Sequence, residues 1–342
     1  MVELQKVAVI IPVYRVEKYL AASIESVLNQ SYKNIEIVLI NDGSPDGCPA
    51  ICDDYANKYA NIHVIHKKNG GLSSARNAGL DYVCNRADYV MFLDSDDQLQ
   101  TGSVEQLLNE GIQNDAQVVL SDRYIKVDED NGNKRLCLHF HSSYYTDSPK
   151  EFVLNVIMEA GRAWRATAVL YSLDIIRKFN IRFPQGMISE DIVFNLQIFQ
   201  RAKRIKISQF PALLNLQRSG SISRSFQKNF HTDMLLIDDT ARAFIAQTGE
   251  LHLNSYADAL LTRNTIVYLF SIFSKRNNFL NITEKKQLAS SLINNKRISK
   301  VLYKKYPMPY FDSKMARVAY CISCYLIRMR MNHLAYKIMQ LQ

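Results

Sequence analysis

The chain reads as an α/β protein: a doubly wound, mostly parallel sheet followed by a helical, basic C-terminal region. Three observations predict this. Short apolar runs alternate with helix-spaced patterns over the first 120 residues, polar and glycine-rich clusters follow directly on those runs, and beyond Gln227 the pattern is helical throughout. Alternation with short connections favours parallel strands joined by right-handed crossovers. At 342 residues the chain exceeds an average domain, so two units are expected. With 47% hydrophobic and 22% charged residues it has the composition of a globular protein, which excludes disorder.

The first strand is expected over residues 7–11. Residues 17–30 then place Leu20, Ile24, Val27 and Leu28 at helical spacing. Strands over 35–40 and 62–65 flank a helix over 49–59, and a helix over 74–83 leads to a strand at 89–93. The last pair is a helix over 104–112 and a strand over 117–120. Five apolar residues in a row, Tyr89 to Leu93, suit a strand buried on both faces. Beyond Asp122 the rhythm loosens. Residues 128–135 read as a surface loop or hairpin, and helical patterns near 149–159 and 189–201 are separated by Trp164 and the turn Phe183-Pro-Gln-Gly186. Residues 205–207 and 212–216 are expected to extend the sheet. The resulting division is 1–225, with halves near 1–122 and 123–225, and a helical region 226–342 broken at Pro307 and Pro309.

Strand ends carry the chemistry. Asp94, Asp96 and Asp97 follow the strand at 89–93, and three carboxylates so close repel one another unless a cation sits among them. Open α/β sheets bind ligands at the carboxyl ends of their strands. Carboxylates together with diphosphate oxygens form a preferred shell for magnesium or manganese. The bland reading is a solvated acidic loop capping the next helix. Three further sets follow earlier strands: Pro12 and Tyr14 with Glu17, then Asn41-Asp-Gly-Ser44, then the segment from Asn69 to Gly79. Each alone is ordinary turn chemistry. Four in order along one sheet edge are hard to obtain by accident.

Pro12-Val-Tyr14, Asn41-Asp-Gly-Ser44, Gly71-Leu-Ser-Ser-Ala-Arg-Asn-Ala-Gly79, Asp94-Ser-Asp96-Asp97 and Glu190-Asp191 resemble the ordered motifs of glycosyltransferase family 2, over roughly residues 5–225. The resemblance implies an inverting enzyme of GT-A fold that uses a nucleotide-diphosphate sugar, and Arg15 stands where the family commonly has Asn. Physical need points the same way. A carboxylate that accepts from the single N–H of uracil selects that base, and Asp42 is the expected residue, with Gly43 allowing close backbone approach. Pro12 is expected to shape the floor of the nucleotide pocket, with Tyr14 beside it. Glu17 has two readings, a contact to the uridine or a first-turn residue favoured by the helix dipole.

Arg76, on a helix opened by glycines, is expected near the diphosphate, with the holding of Asp94 as a compatible second reading. Asp96 is the expected ligand of a Mn²⁺ or Mg²⁺ ion, with Asp94 sharing it and touching the ribose. Asp97 is expected to touch the sugar or support the loop. Inversion needs one base on the acceptor side, and Asp191 matches the family's position. The competing account makes Ser189 an N-cap with Glu190 and Asp191 in the first turn. Glu190 is expected to support the acceptor pocket, Trp164 to offer a flat face to a sugar or to pack in a core, and Arg218 to fold over the diphosphate or to lie in a solvated basic loop.

Residues 226–342 hold 17 Lys and Arg against 7 Asp and Glu, whereas the first 225 hold 25 against 26, so the excess of +9 belongs to the tail. Basic residues interleaved with tyrosines over 296–342 suit a membrane interface facing anionic lipid. Packing against the catalytic region or a second subunit, with charge outward, is the other reading, and no nucleic-acid recognition pattern is present. The six cysteines form no framework and read as reduced cytosolic thiols, Cys321 and Cys324 lacking a second ligand pair. Residues 1–6 lead straight into the first expected strand and do not resemble a signal peptide, and the longest uncharged apolar stretch, 318–327, is half a membrane span. The expectation is therefore a metal-dependent, inverting transferase on the cytoplasmic face of the membrane. Its donor is a UDP-sugar and its acceptor a glycan, lipid-linked, in surface polysaccharide synthesis. The alternative is a non-catalytic nucleotide-sugar or polysaccharide-binding protein of the same fold.

Overall fold

The computed structural model describes residues 4–138, 146–158, 165–218, 230–249, 251–274, 277, 279–302 and 314–339. The chain divides into two compact units, one of residues 1–153 and 162–219, the other of 154–161 and 220–342.

The first unit runs β1 (Val7–Val13), α1 (Glu17–Leu28), β2 (Ile35–Asn41), α2 (Cys48–Lys58), β3 (Ile62–His66), α3 (Leu72–Val83), β4 (Tyr89–Phe92), β5 (Gln98–Leu99), α4 (Ser103–Gln113), β6 (Val118–Ser121), β7 (Arg123–Asp128) and β8 (Lys134–Leu138). It continues with α5 (Pro149–Met158), which crosses the division, then β9 (Leu170–Ser172), α6 (Leu173–Lys178), α7 (Glu190–Phe199), β10 (Ile205–Ser208) and β11 (Leu213–Gln217). Among the described residues the main sheet has the order β10-β6-β9-β4-β1-β2-β3. All its pairings are parallel except those of β9, which is antiparallel to β4 and to β6. Every residue of β1 and β2 is buried, as expected of strands covered on both faces. Val9 lies opposite Ile37 on one side and Met91 on the other, which brings the carboxyl ends of β1, β2 and β4 to one edge.

Two features differ from the sequence reading. β9 carries no readable signal, because three residues are too short for any periodicity. Residues 212–216 do not extend the main sheet: β11 pairs parallel to β7 and antiparallel to β5, in a second sheet of order β5-β11-β7-β8. The tether is Asp97, whose carboxylate accepts from the Leu216 N–H at 2.9 Å and so draws β11 to the acidic loop. The stretch at 128–135 is the turn of the β7–β8 hairpin.

α3 packs on β1 at Gly79. A Cβ there would stand 2.5 Å from Ile10 Cγ2, so only glycine allows the helix so close. That proximity sets where Arg76 and Asn77, one turn earlier, meet the sheet edge.

The second unit contains α8 (Phe230–Thr248), α9 (Asn254–Phe273), α10 (Ile282–Asn294), α11 (Lys296–Leu302), α12 (Lys314–Arg328) and α13 (Asn332–Met339). Its core includes Met234, Leu269, Ile272, Phe273, Leu292 and Ile298. α10 starts with a full capping box, Asn281 accepting from the Thr283 and Glu284 N–H groups while Glu284 accepts from the Asn281 N–H. Arg242 and Arg297 neutralise the buried Asp238 at 2.9 and 2.5 Å. The cysteines are free thiols, and no helix among the described residues is long and apolar enough to cross a membrane.

Candidate active site

The site grows from the carboxyl edge of β1, β2 and β4. Leaving β2, the chain turns at Gly43, which has φ +68° and no room for a side chain: a Cβ would lie 2.9 Å from the Asn69 nitrogen. The close approach brings the loop after β3 onto Asp42. That carboxylate, 3% exposed, accepts from the Gly71 N–H at 2.8 Å, the Gly70 N–H at 3.0 Å and the Lys67 ammonium. Lys67 had no place in the sequence reading; its position directly before the glycine motif was the available signal. Pro12 is buried in β1 opposite Ile40. Tyr14 is exposed, with the Arg15 guanidinium 5.3 Å from its ring centre. Glu17 lies in the first turn of α1, and its carboxylate accepts from the Gly47 N–H at the start of α2, at 3.0 Å.

Arg76 is the hub. It is 1% exposed, and its guanidinium donates to Asp191 at 2.6 Å, Glu190 at 2.7 Å and Asp94 at 2.8 Å. One side chain therefore joins the acidic loop after β4 to the first turn of α7. Burial opposes its charge, but the carboxylates of Asp191, Asp94 and Glu190 outweigh burial and raise its pKa, so it is a permanent cation. The Phe183 ring, 5.2 Å from the guanidinium carbon, backs it. Phe183 in turn stacks on Phe194 at 3.8 Å.

The neighbouring Asn77 does a second job that the sequence reading missed. Its amide accepts from the Phe183 N–H and donates to the Phe183 carbonyl, both at 2.8 Å. Two adjacent residues of α3 thus fix the whole segment that leads from Phe183 to Asp191.

Asp191 keeps its second oxygen on the Ala166 N–H at 3.0 Å, and its side chain remains 22% exposed. Glu190, expected to support the acceptor pocket, is buried on Arg76. Burial, with the charge of Asp191, pushes its carboxyl up to about 8 against the pull of Arg76. Ser189 occupies the N-cap position without a side-chain capping bond, so Glu190 and Asp191 face the guanidinium rather than a conventional cap. Trp164 lies outside the described residues.

The acidic loop is held from both sides. Asp94 is on Arg76, Asp96 accepts from Arg218 Nε at 2.7 Å, and Asp97 accepts from Asn215 at 2.9 Å as well as from Leu216. Arg218 also lies 5.1 Å over the ring of Tyr19, whose hydroxyl donates to Glu129 at 2.5 Å. Burial and the charge of Asp94 raise Asp96 even with Arg218 beside it. They push Asp97 up to about 7. Burial is the larger cause in both, and the charge of Asp94 adds to it.

That donor set fits a divalent cation. Among the described residues no group of three or more His, Cys, Asp or Glu side chains is disposed to hold a metal alone. Magnesium-type ions are commonly bound by one or two carboxylates plus substrate phosphates, and Asp94 and Asp96 each commit one oxygen to an arginine.

A family model described as Glycosyl transferase family 2 matches residues 8–166. The glycosyltransferase GlyG of Streptococcus pneumoniae is 31% identical over 228 residues, which cover 64% of this chain and 73% of GlyG. The chain belongs to glycosyltransferase family 2. The minor teichoic acid biosynthesis protein GgaB of Bacillus subtilis is 50% identical over 105 residues, 30% of this chain and 11% of that protein. The chain spans 58% and 62% of the length of two further relatives at 34% identity. A crystal structure of S. aureus TarS residues 1–349 in complex with UDP-GlcNAc superimposes with a TM-score of 0.68 over 98% of this chain and 90% of that one, at 21% identity. The fold of this family 2 chain, GT-A-like with a helical C-terminal region, is therefore shared with TarS.

Proposed function

We propose that this protein is an inverting glycosyltransferase that moves a sugar from a nucleotide-diphosphate sugar, a UDP-sugar, to a hydroxyl of a lipid-linked glycan in surface polysaccharide synthesis. One observation carries the reading: Arg76 joins the acidic loop of the donor motifs to Asp191 across less than 3 Å on each side. The donor-side and acceptor-side groups are thereby parts of one built site. GgaB and TarS, with the names they carry, support the substrate class.

In this account the acceptor oxygen attacks the anomeric carbon opposite the diphosphate. The bond from that carbon to the diphosphate oxygen breaks, and its electron pair leaves with the nucleotide. Asp191 takes the proton from the attacking hydroxyl, which contributes about 10²–10⁴-fold. Asp42 and the backbone of residues 70 and 71 shape the base end of the pocket, with Pro12, Tyr14 and Glu17 around it. Asp94 and Asp96 would hold a Mn²⁺ or Mg²⁺ ion, which supplies Lewis-acid neutralisation of the leaving diphosphate. Arg218 reaches the diphosphate from the Asp96 side. Arg76 and Glu190 position Asp191 and Asp94. The catalytic region ends near residue 225, and the basic region 226–342 meets the membrane that carries the acceptor, on its cytoplasmic face.

The test is to add UDP-sugars singly, with manganese or magnesium and a lipid-linked or soluble glycan acceptor, and to measure UDP release. Metal-dependent release with one donor supports the reading. Tight UDP binding without release under any combination would favour a non-catalytic nucleotide-sugar-binding protein.

A further inference from the structure

α12 shows an apolar face to solvent. Val318, Ile322, Tyr325 and Met329, just past its end, recur at i, i+4, i+7 and i+11 and are 54, 42, 62 and 56% exposed. That spacing keeps them on one stripe roughly 100° wide. The opposite face is committed, because Tyr320, Ser323, Cys324 and Ile327 are buried in the second unit. The helix cannot roll to hide the stripe without exposing that face. The flanks carry one sign of charge. No acidic residue follows Asp312, whereas Lys314, Arg317, Arg328, Arg330 and Lys337 do, and Arg330 and Lys337 are exposed.

We propose that this stripe of α12 is the face by which the chain enters an anionic lipid surface, the helix lying in the plane of the interface. The proposal rests on the reading that the basic region meets a membrane, and it names the residues that do so. Charge complementarity selects the occupant. A second copy seated on the same face would bring two such helices together, each flanked in sequence by basic residues alone, whereas anionic headgroups neutralise them. Fifteen residues make about 22 Å of helix, too short to cross a bilayer. A hydroxyl-tipped ring such as Tyr325 suits the boundary between headgroups and acyl chains.

The experiment uses the full chain with vesicles of phosphatidylcholine alone or with one third phosphatidylglycerol. The wild type should sediment with the anionic vesicles at low salt and far less with the neutral ones. The quadruple variant Val318→Ser, Ile322→Ser, Tyr325→Ser, Met329→Ser keeps every charge, and should partition about 100-fold less well through lost apolar burial. UDP binding, measured by titration in the same preparations, should be unchanged, so that a failure of the donor reading is seen separately. A Tyr325→Trp variant that also carries Trp164→Phe, so that position 325 holds its one tryptophan, should show blue-shifted emission and protection from iodide only with anionic vesicles. Equal sedimentation of the quadruple variant and the wild type would overturn the proposal, as would emission from the Tyr325→Trp variant that anionic vesicles leave unshifted. So would a wild-type dimer that the quadruple variant dissolves, which would make the stripe a contact between copies.

Discussion

Arg76 and Arg218 hold two carboxylates of the same acidic loop, yet from opposite environments. Arg76 is buried and bound by three carboxylates from two distant segments, while Arg218 is partly exposed and bound by one, with a tyrosine ring beneath it. Charge in a dry site is worth little until it is satisfied, and costs a great deal once its partner is removed. Charge near water is cheap to lose and free to move. The first arginine is therefore a structural hub for the site. The second is a tether, which under the proposed function a bound diphosphate would take over.

The largest effect should follow from Arg76→Met. It strands Glu190, Asp191 and Asp94, and we expect a loss of about 3–5 kcal/mol in urea unfolding at pH 7.5. Arg76→Lys should recover only part, because an ammonium cannot make the forked set of bonds. A loss under about 1 kcal/mol, the range of an exposed pair, would dissolve the contrast.

Asn77→Ala removes two bonds to the Phe183 backbone and should cost about 1–3 kcal/mol. Turnover should fall further than stability, since the segment carrying Asp191 loosens. Arg218→Ala, by contrast, should change stability by no more than about 1 kcal/mol. It should weaken UDP binding, read by calorimetry, and an unfolded Arg218 variant would show that the tether is a second hub.

The smallest effect is a pH dependence. Glu190, normally near 4.5, is pushed up to about 8 by burial, so the folded protein holds a proton that the unfolded chain releases. Its contribution to stability is complete below about 4.5 and is lost as pH rises through 8. Glu190→Gln stays neutral and should flatten the decline in melting temperature between about pH 6 and 8.5. An unchanged slope would mean that Glu190 is ionised on Arg76 throughout.

The sheet was legible because its central strands are buried on both faces and so read as nearly continuous apolar runs, as in 89–93 and, apart from Glu36, in 35–40. The site motifs were legible because they sit where those runs stop. What was hidden depends on meetings across the chain. Nothing local in Asn77 says that it will pin Phe183, 106 residues on. Nothing local in Glu190 says that its carboxyl will turn inward onto Arg76, 114 residues back. β11 looked like another strand of the main sheet, since local pattern carries no partner. It is the bonds from Asn215 and Leu216 to Asp97 that send it elsewhere.

The most direct test of the account is Asp191→Asn, assayed for UDP release at saturating donor, metal and acceptor, with UDP affinity measured on the same protein. The amide keeps the shape but cannot take a proton. The account predicts turnover lower by about 100-fold or more with UDP affinity nearly unchanged. Turnover near the wild-type rate, or a loss of affinity as large as the loss of rate, would contradict it.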